Sequence, residues 1–269
     1  MPTTDKLEMF PRSDLSAEAG TGYFRPFVAG FTGVYLFGAA PSQSGRNWIE
    51  GSATPNGSVQ GAPVLGSGTI QMNGLDGAAQ ARFDCLLKQG SNNSIYASAK
   101  PVSPTFDPDD PPVIFSTNAG LAATNQNGDT TRTSTGITLL YLGAGVVRLY
   151  CNTYNPTTQV NDNIIVDLTG VDYTTFQHFL VRIGGGKVQL DDLTTGAHVE
   201  KPFQSGYAVD RNIMNIVWGD NNTPSTIRDG QVILSHAAIA TTLHSNSDAA
   251  AMHAQFKERG LSASPQVLF

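Results

Sequence analysis

Phe176-Gln-His-Phe-Leu-Val-Arg-Ile183, Gly184-Gly-Gly186 and Lys187-Val-Gln-Leu-Asp-Asp-Leu193 form the stretch that decides the fold. Phe179, Val181 and Ile183 alternate with His178, Leu180 and Arg182. Beyond the glycines, Val188 and Leu190 continue the apolar face opposite Gln189 and Asp191. A period of two places one face of a strand in a core and turns the other away from it. Glycines tolerate the positive φ of a tight reversal. The stretch therefore predicts two antiparallel strands paired across Gly184–Gly186.

Working outward, Ile137-Thr-Leu-Leu-Tyr-Leu142, Gly143-Ala-Gly145 and Val146-Val-Arg-Leu-Tyr-Cys151 read as a second hairpin. Further strands are expected at Gly33–Gly38, Asn163–Leu168, Ile213–Trp218 and Gln231–Ser235, each rich in β-branched or aromatic residues. Residues 99–112, with five prolines and three aspartates, read as a long loop, and residues 118–135 as a second, polar one. One helix is expected near the end. Ser245-Asn-Ser-Asp248 has the form of a capping box. Met252 and Phe256 share a face, Lys257 and Arg259 sit in the last turn, and Gly260 reads as the stop. Many short strands with one terminal helix imply an all-β, antiparallel two-sheet sandwich.

The 269 residues suit one large β-domain (28–269) preceded by an arm (1–27). Only 14% of residues are charged and the net charge is −6, without a basic cluster, which argues against a nucleic-acid partner. No apolar run approaches the ~18 residues of a membrane span. The first residues, Met1-Pro-Thr-Thr-Asp-Lys-Leu-Glu8, lack the apolar stretch of a secretory signal peptide. In the arm, Tyr23, Phe24 and Phe27 lie close together in a segment without periodicity. Such aromatics call for burial on a partner or on the domain itself, and the expectation is an assembly arm.

The order of motifs resembles phage- and prophage-encoded laminin-G-like domains. Gly33-Val-Tyr-Leu-Phe-Gly38, Arg46-Asn-Trp-Ile-Glu-Gly51 and Val59-Gln-Gly-Ala-Pro-Val64 stand at the front, the glycine-linked hairpin at 176–196 in the middle, and Val217-Trp-Gly-Asp-Asn-Asn222 before the close. The resemblance covers roughly residues 30–262. It implies the concanavalin A-like jelly-roll fold and a place in a bacteriophage virion, as a tail, fibre or capsid decoration assembled in the host cytoplasm. The arm and the two long loops have no counterpart in that pattern.

Enzymatic chemistry finds little footing. A retaining or inverting glycosidase needs two carboxylates facing one cleft. Asp191 and Asp192 are adjacent and point to opposite faces, while Glu50, Glu200 and Glu258 are isolated in sequence. Gly184-Gly-Gly-Lys187 lacks the Ser or Thr of a phosphate loop. The five histidines have no metal-ligand spacing and read as surface or partly packed residues. Cys85 and Cys151 suggest no disulfide framework, and Cys151 reads as a small core residue. Asp107, Asp109 and Asp110, and Asp220 with its neighbours, are oxygen-rich but read as turn residues, so no metal or cofactor is expected.

For sugar binding, the aromatic candidates are Trp48, Tyr154 and Trp218, with Asp220 and Asn221 as polar partners. Trp218 continues an alternating strand and reads more readily as core, whereas Trp48 follows a polar stretch and is evenly balanced. The expected function is a non-catalytic structural or interaction component of a virion. Its partners would be other virion proteins and its own copies in a homo-oligomer. The alternative is a glycan-binding module for attachment to the host surface.

Overall fold

Both glycine-linked hairpins form. In the computed structural model, Gly185 and Gly186 take φ of 60° and 79°, and Ala144 and Gly145 take 50° and 72°. Positive φ at both central positions gives the turn whose twist matches flanking antiparallel strands. The structure describes residues 26–38, 41–49, 56–73, 81–118, 135–211, 213–220 and 230–262.

The chain begins with β1 (Phe31–Leu36), one helical turn α1 (Pro41–Ser44), β2 (Ser58–Gln60), β3 (Val64–Gly66) and β4 (Thr69–Asn73). Then come β5 (Arg82–Lys88), β6 (Asn93–Pro101), β7 (Val113–Ser116) and the hairpin β8 (Ile137–Gly143) and β9 (Val146–Asn155). There follow β10 (Val160–Leu168), β11 (Gln177–Gly184), β12 (Lys187–Asp192) and β13 (Ala197–Pro202). The last elements are β14 (Ala208–Val209), β15 (Asn215–Trp218), β16 (Gln231–Ala240) and the helix α2 (Asn246–Ser262).

These strands make two eight-stranded antiparallel sheets. The first runs β13-β12-β11-β6-β16-β4-β3, with β1 beside the far half of β16; the second runs β10-β9-β8-β7-β15-β5-β2, with β14 beside β9. Non-consecutive neighbours such as β6 with β11 and β16 make this a jelly-roll sandwich. Between the sheets lies an apolar core that includes Phe83, Phe115, Leu139, Leu149, Phe179, Val181, Ile183 and Trp218, all fully buried. Burying each such side chain is worth ~1.5–3 kcal/mol.

The helix sits on the outer face of the first sheet. Its Ala249, Met252 and Phe256 pack with Val34, Leu36, Tyr96, Leu180 and Ala238 in a second apolar cluster. The capping box is present: Asp248 N–H donates to Ser245 Oγ at 3.2 Å, and Ser245 N–H donates to Asp248 Oδ2 at 2.9 Å. Gly260 does not end the helix, which continues to Ser262. A glycine inside a helix costs only ~1 kcal/mol, less than the buried Met252 and Phe256 contribute by holding the helix on the sheet.

Other boundaries shift as well. The proline-rich loop starts later than residue 99, because β6 runs through Pro101. Ile213 is not in a strand; it is 55% exposed and β15 begins at Asn215. Gln231–Ser235 is half of a longer strand, extended to Ala240 by pairing with β1 and β6. Most of the polar loop expected at 118–135 lies outside the described residues, as do Tyr23 and Phe24 of the arm.

Candidate binding site

The aromatic candidates do not converge. Trp218, at the end of β15, is wholly buried with its ring 5.1 Å from that of Phe115, so it is core and offers no platform. Asp220, just beyond it, is 2% exposed and faces the Arg82 guanidinium at 3.9 Å. Asn221 lies outside the described residues. Trp48 packs against the helix-side cluster while the Arg46 guanidinium lies 4.4 Å over its ring. That cation covers the surface a sugar would stack on. Tyr154 lies in β9, opposite Ala208 of β14, and is 7% exposed. Phe27 is 49% exposed, and its N–H donates to Gln255 Oε1 of α2 at 3.1 Å.

The carboxylates are committed to structure. Asp191 receives both oxygens' worth of hydrogen bonds from Arg182 Nη2, at 2.9 and 3.0 Å, and lies 2.6 Å from His198 Nδ1. Asp192 instead closes the β12–β13 turn, accepting from Thr194 N–H and Thr195 Oγ1 at 2.9 Å each. Glu200 is not isolated as its sequence position suggested: cross-strand pairing brings it to Lys187 Nζ and Gln189 Nε2, both at 2.8 Å. Asp107 accepts from Asp109 N–H at 2.9 Å, the turn role expected of that loop. Among the described residues, no three His, Cys, Asp or Glu side chains converge as metal ligands. Burial pushes the Cys85 and Cys151 thiols up to about 12, so neither is a thiolate nucleophile near neutral pH.

The histidines depart furthest from their expected surface role. His178 and His236 are fully buried and His244 is 4% exposed. Alternation puts His178 of β11 on the outer face. In β16 a one-residue bulge at Ser235, between Leu234 and His236, reverses the parity and turns His236 outward as well. Both histidines pair with Ser98 of β6, whose small side chain leaves room for their rings to meet edge to face at 4.8 Å. That layer lies under α2, with the His178 and His236 rings fully buried.

An open concavity lies elsewhere, at the rim where the two sheets approach. The β11–β12 turn of the first sheet and β14 of the second frame a cleft of about 170 Å³. Phe203 and Tyr207 are the aromatic residues of its lining, Arg211 the charged one, and Ser91 also lines the cleft. A side chain at Gly186 would meet nothing within 4 Å, so that side of the cleft is open. The Phe203 N–H donates to Gly186 O at 2.7 Å, and Tyr207 N–H to Gln204 O at 3.0 Å, which fixes the aromatic segment against the turn. Pockets that engulf a drug-sized molecule run to ~300–1,000 Å³. A smaller cleft suits one ring-sized group of a larger molecule lying on the surface. Residues 203–211 carry no signal in the sequence, because their aromatics stand singly among polar residues, without strand or helix periodicity.

No known protein family matches the chain, and no curated protein is similar to it in sequence. Solved structures do share its fold. The receptor binding domain of botulinum neurotoxin mosaic serotype C/D superposes with a TM-score of 0.53 at 11% identity, over 86% of this chain and 52% of that one. The binding domain of Paraclostridial Mosquitocidal Protein 1 gives 0.54 at 13% identity, over 86% and 52%. The binding domain of Botulinum Neurotoxin DC in complex with SialylT gives 0.55 at 9% identity, over 84% and 51%. The chain thus spans about half the length of these structures. At such identities the likeness is one of fold, a β-sandwich used in binding domains.

Proposed function

We propose that this chain is a non-catalytic recognition domain that binds a host-surface glycan in the rim cleft. The carrying observation is the convergence of Phe203, Tyr207 and Arg211 around an open concavity. Aromatic faces stack on the apolar face of a sugar ring, while a few polar groups fix its orientation. Arg211 is the charged residue of that lining, which favours an acidic sugar through charge-assisted hydrogen bonds. The binding-domain character of the structural neighbours supports the same reading. A glycan array probed with the full chain tests it. Binding to acidic glycans that falls at least tenfold in Tyr207→Ala and in Arg211→Ala is expected. Binding untouched by either substitution would refute the site.

The setting we infer is a bacteriophage particle, with residues 1–27 as the attachment arm and the domain in a homo-oligomer. Motif order at 33–38, 46–51 and 59–64 supports the setting, and the half-exposed Phe27 ring supports the arm. Deleting residues 1–22 and changing Tyr23, Phe24 and Phe27 to Ser is expected to abolish particle incorporation without lowering the melting temperature. A collapsed melting temperature would instead make the segment part of the domain. Polysaccharide turnover is not expected, since Asp191 and Asp192 serve separate structural contacts. Release of reducing ends that vanishes in Asp191→Ala would overturn that.

A further inference from the structure

Four of the chain's five histidines meet where α2 covers the first sheet. His178 of β11 and His253 of α2 touch through their Nδ1 atoms at 2.8 Å. One ring donates and the other accepts, so the contact holds a single proton. A second proton would set two N–H groups against each other. The His236 ring lies flat on Phe256 of α2, 3.9 Å between centroids and 10° between planes. At the start of the helix, His244 Nε2 faces the Ala29 carbonyl at 3.1 Å, and its Nδ1 faces the Tyr96 hydroxyl at 2.7 Å. A carbonyl only accepts, so Nε2 carries the proton and Nδ1 must be bare to accept from Tyr96. Protonating His244 removes that acceptor. Three attachments of α2 thus run through imidazoles that burial keeps neutral.

We propose that α2 is an acid-sensitive strap: proton uptake by this histidine layer releases the helix from the outer face of the first sheet while the sandwich beneath stays folded. The surrounding charges favour that direction. Arg182 of β11 is held by Asp191 of β12 and donates to the His244 carbonyl and to Asn246 Oδ1 of α2. From α2, Arg259 faces His236 and Lys257 faces His253, both repelling an added proton; Asp192 of β12 and Asp248 of α2 oppose them at His253 and His244. Tyr96 of β6 stays neutral, its hydroxyl driven up by burial. His198 of β13 lies outside the covered layer, on the far side of Asp191.

Burial holds His178 and His236 well below the ordinary histidine range, and lowers His244 and His253. Released, the same rings take up protons near ~6.5. The released state therefore binds more protons, and attachment of α2 is at full strength above that pH and weakens as pH falls below it. The apolar core between the sheets holds no histidine, so it does not share this dependence.

Hydrogen exchange of the full chain, corrected for intrinsic rates, tests the strap. Between pH 7.5 and 5.5, protection of residues 246–262 is expected to fall at least tenfold while β8 and β9 keep theirs. His253→Gln should weaken the response, and His198→Gln should leave it intact. Helix protection that does not change with pH, or that falls only together with β8 and β9, would overturn the proposal, whether or not His253→Gln folds. So would an unaltered response in a folded His253→Gln.

Discussion

The two faces of the first sheet use the same strands for opposite chemistry. Inward, Phe179, Val181 and Ile183 of β11 enter a dry core. Outward, His178, Leu180 and Arg182 meet a helix through a mixture of rings, ions and one apolar strip. The inner layer depends on volume and shape, whereas the outer one depends on protonation states and completed hydrogen bonds. A buried polar layer is costly wherever one partner is lost. The comparison therefore predicts two kinds of fragility in a single sheet.

The largest effect should come from the inner layer. Trp218→Ala removes the largest fully buried side chain and is expected to cost ~3–5 kcal/mol, the range for such core truncations. Urea denaturation should show that cost unchanged between pH 7.5 and 5.5. Breaking the outer layer at Arg182→Met takes from Asp191, whose side chain is 10% exposed, its guanidinium partner and should cost ~3 kcal/mol, as for other half-broken buried pairs. If that variant were as stable as the wild type, the outer layer would be ornamental and the contrast would fail. Ser245→Ala deletes the helix cap and should cost ~1 kcal/mol, read as faster exchange at the start of α2. Smallest of all, Arg148→Ala breaks a pair with Asp167 whose side chains are 25% and 36% exposed, and should cost under ~1 kcal/mol.

The same contrast explains what the sequence disclosed. Inner-face residues repeat at a period of two, so the hairpins at 137–151 and 176–193 and the sandwich class are legible. The cap at Ser245–Asp248 is a local pattern and equally legible. β6 is not: Ile95, Ala97 and Ala99 face the core while Ser94, Tyr96 and Ser98 face the helix side. Covered on both sides and built of small residues, it shows no alternation, although it lies at the centre of its sheet. The histidine layer is assembled from β11, β16 and α2 by strand order and by the bulge at Ser235, neither of which is written in local spacing. At Trp48, Tyr154 and Trp218 the residue type signals sugar-binding chemistry, but burial and neighbours, which local sequence does not carry, decide against a platform. The cleft residues needed the turn at 184–186 and β14 to be brought side by side first.

The central claim, that this sandwich recognises sugar at its rim, is tested most directly by titrating an acidic glycan selected on the array into isotope-labelled protein and mapping the perturbed amide signals. Saturable shifts confined to Ser91, Gly184–Gly186 and the segment 203–211, and absent in Arg211→Ala, are expected. Shifts centred on Trp48 and Arg46, or no saturable shift at any site, would contradict it.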